Sequence, residues 1–181
     1  MDVVVVAFDN YAEVPRAKSM TQAKRQRSVP AISFSEQSEL PQMVPDGETW
    51  QGCIANRTFK TRIIELVTLR LPYYVPEGKR LILDFQTPVE YSPGCPPRVL
   101  SELPVMGEAD VKFTRYADML GDLLVDSIDG DTIPIALVHH ELCAERSKAA
   151  PPVTVRRYEL RTSAEEKKSR KREYEFVDIH A

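Results

Sequence analysis

Cysteine is scarce in this chain and carries no pattern. Cys53, Cys95 and Cys143 are odd in number and share no CxxC spacing, which argues against a disulfide framework or a zinc ribbon and fits a reducing compartment. The three read as ordinary buried or half-buried thiols. No apolar run approaches the roughly 18 residues of a membrane span, and the opening MDVVVVAFDN lacks the length and basic start of a signal-peptide core. A soluble, intracellular protein with no membrane partner is the expectation. No internal repeat is visible. Charge of one sign is also missing: a formal net charge of -3 excludes a general nucleic-acid binder and an acidic tail. Any polyanion must be met by local basic clusters.

The 181 residues, 43% of them hydrophobic, fit one domain spanning residues 1–181, long enough to bury a core. Val3 to Phe8 is a β-branched and apolar run ended by Asp9, the pattern of a strand buried on both faces in a parallel sheet. From Pro15 to about Arg27 the chain reads as a short basic helix carrying Lys18, Lys24, Arg25 and Arg27. Residues 28–49 hold three prolines and read as an irregular insertion. Trp50 to Leu71 places Ile54, Phe59, Ile63, Leu66, Val67 and Leu71 near helical spacing, and Pro72 ends the run. KRLILDF is a second buried strand ending near Asp84, and the proline-rich residues 86–106 read as a second, surface insertion.

Further on, Ala109, Phe113, Tyr116, Ala117 and Leu120 make one stripe of a helix from about Glu108 to Leu120. DLLVD, Asp122 to Asp126, returns as a strand. TIPIALVHHE, VTVRRYEL and YEFVDIH are further strand candidates. Residues 162–173 form a polar basic segment whose KKSRKR is a nuclear-localisation or phosphate-binding candidate, set against an ordinary exposed charged helix. Strands alternating with helices predict a three-layer α/β domain whose mostly parallel sheet is flanked by helices.

In such sheets ligands bind beyond the carboxyl ends of the strands, where Asp9 follows one strand and Asp126, Asp129 and Asp131 follow another. Glu108 and Asp110 lie two residues apart, about 200° around a helix, and can converge only at its first turn. That turn favours acids in any case, by up to about 1 kcal/mol each. DSIDGD is either a polar turn or a hard-cation site; an EF-hand is excluded by the missing glutamate at its last position.

GEAD followed after a strand by DGD, with Glu108 and Asp129 21 residues apart and Asp131 two further, resembles the acidic core of the flap endonuclease/XPG family of 5′-nucleases. AFDN resembles that family's strand ending in a metal-associated aspartate, and KSMTQAKR its helix with a lysine and an arginine seven residues apart. The resemblance implies a PIN-like fold and a Mg²⁺- or Mn²⁺-dependent, structure-specific nuclease. It implies that Asp9, Glu108, Asp110, Asp129 and Asp131 hold two ions, and that paired ions about 4 Å apart activate water for attack on phosphorus. It further implies that Lys18 and Arg25 steady the phosphodiester, with Lys24 and Arg27 on the same DNA-binding helix. The expected partner is DNA, branched or flap-bearing, and a eukaryotic member would be nuclear. The match covers about a third of the chain and reads as a partial domain. The family's earlier strand, its glycine-cysteine-aspartate-tyrosine stretch and its helix-hairpin-helix find no counterpart, so another chain or segment would complete the site.

Two other classes fit the same residues. One is a non-catalytic nucleic-acid or protein-binding module that keeps the fold with an incomplete acidic site. The other is a phosphatase-like α/β protein acting on small phosphoesters without the basic helix. Asp84 is a reserve ligand at a strand end. His139 and His140, adjacent on an expected strand, point to opposite faces and make a poor pair. Trp50 and Phe59 stack on bases or pack in the core, their helical context favouring the core.

Overall fold

The computed structural model describes residues 2–10, 53, 56–127, 131–145, 152–158 and 174–179. The expected basic helix at 15–27, the insertion at 28–49, Trp50 and the segment 162–173 lie outside them. The chain divides into two compact units, Met1–Gly107 and Glu108–Ala181, each mixed α/β.

In the first unit β1 (Val3–Ala7) runs parallel to β2 (Arg80–Asp84), with Val3 opposite Arg80 and Ala7 opposite Asp84. Parallel neighbours need a crossover, and α1 (Arg57–Arg70) lies within it. Asn56 starts α1: its side chain accepts from the Phe59 amide at 3.1 Å, satisfying one of the unpaired donors of the first turn. Pro72 turns the chain into a single 3₁₀ turn, Leu71–Tyr74. Phe59 and Ile64 of the helix are buried, whereas Leu66, expected on the buried stripe, is exposed.

The segment read as a surface insertion instead continues the sheet. β3 (Pro88–Tyr91) pairs antiparallel with β2, and β4 (Arg98–Val99) antiparallel with β3, giving the order β1-β2-β3-β4. Pro88 heads its strand, where proline's missing N–H is tolerated, and its carbonyl accepts from the Leu100 amide at 2.9 Å. Glu90 of β3 is flanked by two cations, Arg80 at 3.0 Å and Arg98 at 3.6 Å. β1 is an edge strand of this sheet among the described residues, and Val4 is exposed. The continuous apolar run at the start of the chain therefore did not mark a strand buried on both faces.

The second unit opens with α2 (Ala109–Leu120), one residue shorter than expected, with Glu108 as its cap. Gly121 closes it at φ 79, donating its amide to the Ala117 carbonyl at 3.0 Å; only glycine adopts this left-handed turn at no steric cost. β5 (Leu123–Ser127) then pairs parallel with β6 (Val153–Tyr158), and β6 antiparallel with β7 (Tyr174–Ile179). Between β5 and β6 lies α3 (Thr132–Glu145). Here TIPIALVHHE, expected as a strand, is helical. Phe113 and Ala117 of α2, Ala136 of α3, Val153 and Val155 of β6 and Ile179 of β7 form the buried core.

Each unit is thus a parallel strand-helix-strand element extended by antiparallel strands. The α/β class holds, while both sheets are mixed rather than mostly parallel.

Candidate functional site

Asp84 is the last residue of β2 and is 1% exposed. Its carbonyl accepts from the Phe8 amide at 2.8 Å, which fastens the chain just past β1 to the carboxyl end of β2. Asp9 follows immediately, and Lys60 of α1 reaches it, Nζ to Oδ2 3.6 Å. Asn10 is buried, and its amide donates to the Gly107 carbonyl at 2.5 Å. The first unit therefore carries Asp84 at the end of β2 and the Asp9–Lys60 pair just past the end of β1, the position at which α/β sheets take ligands. Asp84, a reserve ligand by sequence, lies deeper than Asp9. Lys60 was not singled out by sequence, because a lone lysine on a helix carries no signal of its own.

In the second unit Glu108 caps α2, without a hydrogen bond from its side chain to the helix, and Asp110 stands in the first turn. Asp131 is exposed and directly precedes α3, its carbonyl accepting from the Ile135 amide at 3.1 Å. Three acids thus occupy two helix starts, where the dipole favours negative charge. Among the described residues Glu108, Asp110 and Asp131 do not gather within 4.8 Å of one another. Asp129 lies outside the described residues, as do Lys18, Lys24, Arg25 and Arg27. Asp126 belongs to β5 and is ion-paired with Arg156, its cross-strand neighbour on β6. Asp178 of β7 accepts from Thr154 Oγ1 at 2.7 Å. Both serve the sheet.

Lys112 of α2 is fully buried and Arg115 nearly so, two cations that apolar periodicity did not anticipate. Arg115 lies over the Tyr116 ring, 5.2 Å from its centroid. A buried charge is costly unless matched, and both cations have partners in the structure. Phe59 is 1% exposed and is a core side chain, not a stacking platform. Of the cysteines, Cys53 and Cys143 are buried, while Cys95 is exposed; all three are free thiols.

Among the described residues one group of mixed ligands stands close together: Asp118, His139 and Cys143, whose donor atoms all lie within 4.8 Å of one another. The group has no signature in the sequence while residues 132–141 are expected as a strand, because a spacing of four along extended chain is about 13 Å. No family model, curated protein or solved structure matches the chain. No helix among the described residues is long and apolar enough to cross a membrane.

Proposed function

We propose that the chain is a metal-dependent nuclease that hydrolyses DNA phosphodiester bonds, of the structure-specific 5′-nuclease kind, on a PIN-like three-layer frame. The observation that carries the reading is Asp84, a carboxylate 1% exposed at the carboxyl end of a parallel strand whose partner leads into Asp9. The carboxyl ends of strands are where α/β sheets take ligands, and Asp84 places an acid there. A set of carboxylate oxygens suits hard divalent cations. Asp9, Glu108, Asp110, Asp129 and Asp131 are the ligands implied by the resemblance, and within the first unit Asp84 is a further candidate ligand at a strand end.

Bound Mg²⁺ or Mn²⁺ supplies an activated water and neutralises charge at phosphorus. The chain's own cations orient the substrate. Lys18 and Arg25 hold the phosphodiester next to the scissile bond, Lys24 and Arg27 extend the contact along the backbone, and Lys60 adds a charge beside Asp9.

A second reading has its own support. Lys60 Nζ lies 3.6 Å from Asp9 Oδ2, so a side-chain cation already answers this carboxylate, as in a binding module that keeps the frame without the chemistry. Cleavage and binding separate the two. In the nuclease, Asp129→Ala and Asp84→Asn abolish Mg²⁺-dependent cleavage of labelled DNA and leave binding intact. In the binding module no cleavage is present to lose, and binding tightens as repulsion of phosphate falls.

A further inference from the structure

Asp118 stands on α2 of the second unit, and His139 and Cys143 on its α3. His139 and Cys143 are four residues apart on α3, one turn, and share a face. Asp118 lies in the last turn of α2. Its Oδ1 is 3.3 Å from His139 Nε2, and Cys143 Sγ is 3.8 Å from the same nitrogen. A carboxylate so near a helix C-terminus works against the helix dipole, and no basic residue in that turn offsets it.

Two chemistries use this set of residue types. A nucleophilic triad needs the thiol on one imidazole nitrogen and the acid on the other, so that the acid fixes the tautomer which takes the thiol proton. Here both groups approach Nε2, and the carboxylate competes with the thiol for one atom. A metal asks for the reverse, donors converging on a point. Tetrahedral zinc, with bonds of about 2.3 Å to sulfur and about 2.0–2.1 Å to nitrogen and oxygen, sets an N···O edge of about 3.3 Å and an N···S edge of about 3.6 Å. The 3.3 Å and 3.8 Å separations fall within a few tenths of these. The third edge, Asp118 to Cys143, closes by rotation of Asp118, whose side chain is 63% exposed. That exposure is also the route in for an ion, because Cys143 itself is buried.

We propose that Asp118, His139 and Cys143 bind one borderline transition-metal ion, zinc above all. The sulfur and nitrogen donors select against Mg²⁺ and Ca²⁺. As the sulfur–metal bond forms, Cys143 releases its proton to solvent, and three protein ligands leave a fourth position for water. The site uses none of the residues assigned to DNA hydrolysis and stands or falls apart from that reading.

Titration of the reduced full-length chain with Co²⁺ tests it. One equivalent produces a thiolate-to-cobalt charge-transfer band in the near ultraviolet together with tetrahedral visible absorption, and zinc displaces it. Cys143→Ser and His139→Gln remove the band, while Cys95→Ser and Asp131→Ala keep it. Asp118→Asn, at an exposed position that spares the fold, weakens zinc at least about tenfold, since loss of even an outer partner costs about 10–100-fold. Zinc also protects Cys143 from alkylation in the unmodified chain. No cobalt band from the folded chain, a band that survives Cys143→Ser, or alkylation of Cys143 unaffected by zinc overturns the proposal.

Discussion

Ala7 and Asp84 face one another across the parallel pair of β1 and β2, and this places a buried carboxylate beside the residues that lead into Asp9. Asp84→Asn keeps the size of the side chain and removes the charge a hard cation needs, so it abolishes metal-dependent cleavage in a chain that still folds, measured in a DNA-cleavage assay beside urea denaturation. Cleavage retained by the folded variant contradicts the assignment.

Lys60 and Asp9 are each more than a third open to solvent or close to it, so their pair contributes less than about 1 kcal/mol to stability. Lys60→Met is therefore nearly neutral in denaturation. In DNA binding it weakens affinity across sequences alike and lowers the salt dependence by about one ion.

Phe113 lies in the core of the second unit with Ala117, Val153 and Val155. Phe113→Ala costs about 3–5 kcal/mol, a shift in the denaturation midpoint large enough to read directly. Phe176, which is exposed on β7, changes stability by less than about 0.5 kcal/mol when replaced by threonine.

Asp2 and Lys79 tie the start of β1 to the residue before β2, Oδ1 to Nζ 3.0 Å. The hydrogen bond and charge of Lys79 hold the Asp2 carboxyl below its ordinary value of 3.8. A depressed folded value means that the pair stabilises the fold above the unfolded pKa and loses that contribution as pH falls through the folded one. NMR titration of the Asp2 carboxyl shows a lowered midpoint that returns toward 3.8 in Lys79→Met.

The elements most legible in the sequence were those with one clear signal. Phe113, Tyr116 and Ala117 repeat at helical spacing before Gly121, and α2 follows them within one residue. α3 was misread because TIPIALV is apolar without an amphipathic period, and Leu137, Val138 and Leu142 are exposed on the helix. The overlooked sign was Pro134, which sits in the first turn of α3, where proline favours a helix start. The prolines of 86–106 misled in the opposite sense, since Pro88 heads a strand and Pro96 and Pro97 precede another. Within the candidate site, strand ends located Asp9 and Asp84. Depth of burial and the approach of Lys60 are tertiary facts with no local signature.

The most direct test of the nuclease reading is cleavage of labelled 5′-flap, hairpin and single-stranded DNA in Mg²⁺, Mn²⁺ or EDTA, with Asp84→Asn, Asp129→Ala and Asp131→Ala alongside. A nuclease gives metal-dependent products that vanish in EDTA and in all three variants. Absence of products from the folded chain in either metal, or products that persist in all three variants, would contradict that reading.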